Sequence, residues 1–212
     1  MGAPEGYHKQ VRALEEREFD VVYMAATALL CAEKYEEALQ LYEDAVRMMP
    51  GHAGAWHGLA ICLDEVGRRE EAKEAYESAL KLYEERADSG EAHALLWGGW
   101  AALKVGELEV ALDMFRRSIE VDPGYAYAWH SISIALARLG RREEAKEAKK
   151  RYLALLREKP YPRRECEGWE MLLKAREMAK ESARGRLEIL EELVQRHERD
   201  LGARCRRSGG TT

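Results

Sequence analysis

The chain has 212 residues, of which 46% are hydrophobic and 34% are charged. At roughly 150 residues per domain, this length fits one domain, or one domain with an appendage. The composition excludes both a disordered chain and one embedded in a bilayer. Acidic residues outnumber basic ones by 39 to 34. The resulting net charge of −5 argues against nucleic acid as a partner, because duplex binding needs a positive face.

The sequence indicates no membrane segment and no secretion signal. Its longest nearly apolar run, residues 21–32, is shorter than the ~20 residues of a spanning helix. The N-terminus lacks both a basic start and an apolar stretch. We therefore expect a cytoplasmic protein with no membrane contact. The absence of Asn and the presence of only three Gln favour a thermophilic source.

An internal repeat determines the predicted architecture. The segment GRREEAKEA at residues 67–75 returns unchanged at residues 140–148, an offset of 73 residues or two periods. An intermediate copy keeps Gly106 and Ala111, and an earlier one keeps Ala38. Four units are therefore predicted.

Each unit has the spacing of two helices joined by a tight turn. Trp56, Leu59, Ala60 and Leu63 recur at i, i+3, i+4 and i+7, which is one face of a helix. Gly67 suits a left-handed helix end, and the glutamates after it favour the first turn of a second helix. In that second helix, small residues recur where two helices must approach closely.

These residues resemble the tetratricopeptide repeat, a 34-residue helix-turn-helix unit. The resemblance implies an all-α fold, a right-handed superhelical array of antiparallel helix hairpins (an α-solenoid) with terminal capping helices. The predicted boundaries are an N-terminal helical cap at 1–18; four repeats at 19–52, 53–86, 92–125 and 126–159; a degenerate repeat or capping helices at 160–202; and a disordered basic tail at 203–212.

Three parts of the chain depart from the repeat pattern. Residues 83–90 form an extension, which we expect to be an exposed loop, and the second helix of the fourth unit is expected to run on to Lys159. Tyr7, Val11 and Leu14 predict a short N-terminal helix. The last amphipathic helix, with Leu187 and Leu190 on its apolar face, either caps the array, enters the groove or forms a dimer seam.

In the resembling family, first helices line a groove that binds ligands. We carry the family's groove positions over to this sequence and add Trp97 as a second anchor beside Trp100. The predicted partner-binding residues are then Tyr23, Thr27, His57, Ile61, His93, Leu96, Trp97, Trp100, Tyr127, His130, Ile134 and Arg138. The third unit's first helix is apolar nearly all round, so it must be buried or covered. Either a partner contacts it, or this chain's own terminal helices cover it.

The resemblance implies a scaffold or adaptor that binds a partner peptide or helix and performs no chemistry. A second interpretation is self-assembly through the C-terminal helix. A third is a metal-dependent enzyme using His57, His93 and His130, although they come from separate repeats rather than from a metal motif. No nucleophile-base pair or phosphate loop is recognisable, and the four cysteines lie far apart, so we expect no catalytic residue, metal or cofactor. Gly98 and Gly99 are interpreted as a close helix contact.

Overall fold

The computed structural model describes residues 5–86 and 91–158, with side chains from residue 15 onward. The described part of the chain is all helical. Its elements are α1 (Glu5–Cys31), α2 (Tyr35–Met48), α3 (Ala53–Glu65), α4 (Arg69–Arg86), α5 (Ala92–Val105), α6 (Leu108–Val121), α7 (Ala126–Arg138) and α8 (Arg142–Glu158). The prediction of an all-α helical repeat is confirmed.

The described residues fall into two compact units. The first comprises residues 5–50 with 65–67, and the second comprises residues 51–64 and 68–158 apart from the gap at 87–90. In the first unit, α1 packs against α2 as one hairpin. In the second, α5 packs against α4 and α6, α7 packs against α6 and α8, and α5 also meets α7.

The same turn connects the two helices of each hairpin. Its central residue has a positive φ, +86° at Gly67, +98° at Gly106 and +78° at Gly140. The next residue donates its backbone N–H to the carbonyl five residues earlier, as in Arg141 to Leu136 at 2.9 Å. This is the Schellman ending, which satisfies the last carbonyls of the first helix. The glycines predicted to stop the helices therefore lie in the left-handed conformation.

The first hairpin makes this turn without glycine. Glu33 has φ +59°, and Lys34 donates to the Leu29 carbonyl at 2.9 Å, as in the other three turns. A side chain in the left-handed region costs roughly 1–2 kcal/mol. The first turn is therefore the strained copy of the motif.

The small residues of α5 allow close helix contact, as the sequence predicts. A Cβ on Gly99 would lie 2.6 Å from the Phe115 Cδ1 atom, and one on Gly98 would lie 2.9 Å from the Tyr83 Cβ atom. Both distances are too short for a real contact. Because Phe115 is fully buried, its ring has little room to move. The two glycines thus set how closely α5 approaches α6 and α4.

Two elements are longer than the sequence predicts. The expected loop at 83–90 is helical through Arg86, because α4 continues and buries Tyr83 against the core. The short N-terminal helix expected to lead into the first repeat is the first part of α1, which runs without a break from Glu5 to Cys31. In the fourth repeat, α8 extends to Glu158, close to the expected Lys159. The calls on residues 160–202 and 203–212 lie outside the described residues.

We predict that Gly99→Ala destabilises the second unit although alanine is the better helix former. The added methyl group overpacks the contact with Phe115, which costs about 1–3 kcal/mol and exceeds the ~1 kcal/mol gained in helix propensity. Urea unfolding followed by circular dichroism measures the change. Gly51→Ala is the matched control, since a Cβ there meets nothing within 4 Å. Equal stability of the two variants would contradict the close contact.

We also predict that Glu33→Gly stabilises the first hairpin. Relief of the left-handed strain outweighs the entropy that glycine adds to the unfolded chain, which leaves a gain of about 0.5 kcal/mol. The urea midpoint should rise. Gly140→Glu, the reverse change in an equivalent turn, should lower it. A midpoint that falls for Glu33→Gly would show that the Glu33 side chain contributes more than its backbone strain costs.

Candidate functional site

The predicted partner-binding residues differ in their exposure. His57 and Leu96 are buried, at 6% and 3% relative exposure, so they pack beneath the surface instead of forming it. In the second unit, the partly or fully exposed members lie on the first helices of the hairpins. We call these the first-helix surface: Ile61 of α3; His93, Trp97 and Trp100 of α5; and Tyr127, His130, Ile134 and Arg138 of α7.

His57 forms the centre of an aromatic cluster in the second unit. Its ring meets Tyr76 at 5.6 Å, Tyr83 at 6.1 Å and Trp97 at 5.1 Å between centroids, each in an edge-to-face arrangement. We call His57 with these three residues the His57 cluster. It joins α3, α4 and α5 in one contact. Such aromatic pairs contribute about 0.5–1.5 kcal/mol beyond the area that they bury.

His57 is neutral because it is buried. Desolvation, with smaller contributions from the nearby Lys104 and His93, lowers the pKa of His57 to about 3. Its Nδ1 atom is buried without a hydrogen-bond partner. A buried polar atom without a partner costs about 1–3 kcal/mol. The imidazole therefore acts as an apolar ring that carries an energetic penalty.

Trp97 links this cluster to the first-helix surface. Its indole Nε1–H donates to the Nε2 atom of His93 at 2.5 Å, one helical turn earlier on α5. The two rings stand edge to face, with 5.5 Å between centroids. Burial lowers the pKa of His93, whereas the carboxylate of Glu91 opposes that shift. A neutral His93 is required, because only an unprotonated nitrogen accepts this bond.

Trp100 is partly exposed and contacts Phe115 of α6. Its ring meets Phe115 edge to face at 6.1 Å. Since Phe115 is fully buried, one side of Trp100 is held by the core. Trp100 was predicted to be a partner anchor. The structure places it half-buried, with one side held by Phe115.

The fourth repeat has a histidine at the position that His57 occupies in the second repeat. His130 lies 73 residues after His57, and its ring meets Tyr152 of α8 at 4.8 Å. Burial lowers the pKa of His130, and the cation of Lys149 lowers it as well. Its Nδ1 atom is also buried without a partner. The tyrosines that meet these histidines, Tyr76 and Tyr83 at His57 and Tyr152 at His130, were not among the predicted site residues.

Cations at the ends of the first helices connect neighbouring repeats. The Lys104 ammonium donates to the Asp64 carboxylate at 2.6 Å and lies 5.7 Å from the centre of the Tyr76 ring. The Arg138 guanidinium donates to the Leu103 carbonyl at 2.8 Å. Each cation thus reaches back to the preceding first helix. Arg138, expected to contact a partner, already holds α7 against α5.

Tyr23 and Thr27 lie in the first unit, where they form a hydrogen-bonded group with α2. The Thr27 hydroxyl donates to the Tyr23 carbonyl at 2.8 Å and accepts from the Tyr42 hydroxyl at 3.0 Å. The Tyr23 ring stacks on Phe19 at 5.7 Å. Burial raises the pKa of the Tyr23 phenol. Both predicted residues are therefore half-buried and tie α1 to α2.

Residues 15–86 and 91–158 contain no group of three His, Cys, Asp or Glu side chains that could hold a metal ion. Throughout the same part of the chain, every helix is too short or too polar to span a bilayer.

Two family models, both described as tetratricopeptide repeat, match residues 29–96 and residues 96–161. Together they span more than half of the chain. A curated relative, the uncharacterised protein MJ0572 of Methanocaldococcus jannaschii, is 46% identical over 50 residues. That stretch is 24% of this chain and 58% of the relative's length.

Solved structures similar to this chain include MamA of Desulfovibrio magneticus RS-1. That likeness has a TM-score of 0.48 and 18% identity, and covers 66% of this chain and 76% of that one. A second is YrrB, described as a TPR protein with an unusual peptide-binding site, with a TM-score of 0.31 and 23% identity. It covers 68% of this chain and 91% of that one.

We predict that His57→Phe flattens the acid side of the stability profile. Between pH 6.5 and about 3, the unfolded chain binds a proton at His57 that the folded chain does not, so stability falls as the pH falls. The slope from this residue approaches about 1.4 kcal/mol per pH unit. Phenylalanine removes both the slope and the unpaired Nδ1. The free energy of unfolding is measured with urea at pH 7.5 and pH 5 for the unsubstituted chain and for His57→Phe. Identical losses of stability in the two proteins would refute the assignment.

Proposed function

Because this chain belongs to the tetratricopeptide repeat family, we propose that it is a protein-interaction scaffold. Its first-helix surface binds an apolar segment of another protein, either an amphipathic helix or an extended peptide. The family supports a protein partner in general. The half-buried tryptophans of α5 are the observation on which the choice of this surface depends.

The distribution of charge supports the first helices as the binding side. Helices α5 and α7 each contain a single charged residue, Lys104 and Arg138, in the last turn. By contrast, α4 and α8 each contain ten, as the sequences of these two helices show. Charged second helices suit contact with water, whereas the apolar and aromatic first helices suit contact with a partner.

Trp97 and Trp100 have the properties of binding anchors. Each is partly exposed, and each is held on one side by a buried ring, His57 for Trp97 and Phe115 for Trp100. A rigid, partly exposed aromatic ring loses little conformational entropy when a partner covers it. Tryptophan is also the residue type most enriched among binding hot spots.

The other interpretations stay predictions. Self-assembly depends on a C-terminal helix that lies outside the described residues. Tyr23 and Thr27 of the first unit remain predicted members of the binding surface. The cytoplasmic location, the thermophilic source and the lack of nucleic-acid or catalytic function rest on composition and motif patterns.

We predict that Trp100→Ala weakens capture of the partner without unfolding the array. Loss of a hot-spot tryptophan costs about 2 kcal/mol or more, which corresponds to roughly thirtyfold weaker binding. A pull-down of the tagged full chain, analysed by mass spectrometry, compares the variants, and circular dichroism checks the fold. Leu153→Ala is the matched control, since Leu153 of α8 is an exposed apolar residue outside the first helices.

Two results would contradict the proposal. The first is that Trp100→Ala captures the same proteins in the same amount as the unsubstituted chain. The second is that Leu153→Ala loses capture to the same extent, because binding would then follow apolar exposure in general and not the first-helix surface.

A further inference from the structure

The hydrogen bond between Trp97 and His93 fixes the orientation of the partly exposed Trp97 indole. The two residues lie one helical turn apart on α5, and the indole N–H donates to the His93 Nε2 at 2.5 Å. His93 is exposed to solvent, whereas Trp97 is only partly so. A solvent-exposed side chain therefore holds the polar edge of a half-buried one.

The contact between Trp97 and His57 cannot respond in the same way. The indole meets His57, which is buried and also contacts Tyr76 and Tyr83 of α4. This contact is held by packing, which does not depend on mild changes of pH. Any adjustment of the indole with pH must therefore come through His93.

Several ionisable groups face this arrangement. On α5 itself, Glu91 favours a charged His93, whereas the partial burial of the ring disfavours it more strongly. From α3, His57 faces the same indole and stays neutral until about pH 3. The cation of Lys104 on α5 lowers the pKa of His57 and is paired with the carboxylate of Asp64 on α3. From α4, the two phenols of Tyr76 and Tyr83 contact His57. Among these groups, His93 is the one that accepts the indole hydrogen bond, so a change in its charge acts directly on Trp97.

Protonation reverses the role of the His93 Nε2 atom. The neutral ring accepts the indole N–H, but a protonated ring presents an N–H at the same place, so donor faces donor and the bond is lost. Because the pKa of His93 lies below its ordinary value of 6.5, the bond is intact at neutral pH. It is lost as the pH falls through that lowered pKa.

We propose that His93 is a positioning residue for Trp97, and that its protonation releases the indole and makes partner binding at the first-helix surface sensitive to acid. The positioning by His93 stands on the contact geometry of α5. The effect on partner binding rests on the proposed function.

The positioning is tested by NMR of the full ¹⁵N-labelled chain between pH 8 and pH 5. We expect the Trp97 indole N–H peak, assigned with Trp97→Phe, to shift with a midpoint below pH 6.5. The indole of Trp129, which donates to the Pro123 carbonyl at 3.1 Å, is an internal control that should shift far less. His93→Gln should keep the bond through its amide oxygen and abolish the titration.

Two NMR results would overturn the positioning. One is a Trp97 peak that does not move between pH 8 and pH 5. The other is a peak that titrates with the same midpoint in His93→Gln, since another group would then cause the shift. Either result leaves the Trp100→Ala capture experiment unaffected, so failure of this inference is distinguishable from failure of the proposed function.

The binding consequence is tested by repeating the pull-down at pH 7.5 and at a pH one unit below the midpoint that the NMR titration gives for Trp97. Capture by the unsubstituted chain should fall severalfold at the lower pH, because the neutral fraction of a histidine falls about tenfold for each pH unit below its pKa. His93→Gln should capture equally at both values. Equal capture by the unsubstituted chain at both pH values, or an equal loss in His93→Gln, would overturn the link between His93 and binding.

Discussion

The close approach of α5 to its neighbours is the constraint on which the rest of the second unit depends. Gly98 lies against Tyr83 of α4, and Gly99 lies against Phe115 of α6, at distances that no other residue type allows. Because protein interiors are packed as tightly as organic crystals, this spacing fixes α5 along its length. The edge-to-face contacts of Trp97 and Trp100 follow from that placement.

Helical geometry explains how one short segment serves both packing and surface. Successive residues of an α-helix are turned by about 100°, so in Trp97-Gly98-Gly99-Trp100 the two tryptophans share one side and the two glycines share the opposite side. The glycine side lies against α4 of the preceding hairpin and α6 of the same hairpin. The tryptophan side is then the one left partly exposed, with His93 one turn earlier beside it.

The sequence predicts the features that depend on local chemistry. The repeat spacing gives the hairpins, and the left-handed requirement of the turn explains Gly67 and its equivalents. The sequence does not predict how far α4 extends, because the burial of Tyr83 against His57 depends on a helix 26 residues away. The bond between His93 and Trp97 escapes prediction too. Their i, i+4 spacing permits contact, but only the surrounding packing selects the rotamers that make it.

The same segment violates local preference. Two adjacent glycines in a helix interior each lower helix stability by about 1 kcal/mol relative to alanine, yet α5 forms because tertiary packing overrides propensity. Conflicts between local preference and the global fold concentrate at functional sites, where a sequence retains features that stability alone would remove. In the second unit, the unpaired Nδ1 of His57 is a second such cost, in contact with the same Trp97. That two unfavourable features converge on one partly exposed tryptophan is a physical reason, independent of family resemblance, to propose the binding surface at α5.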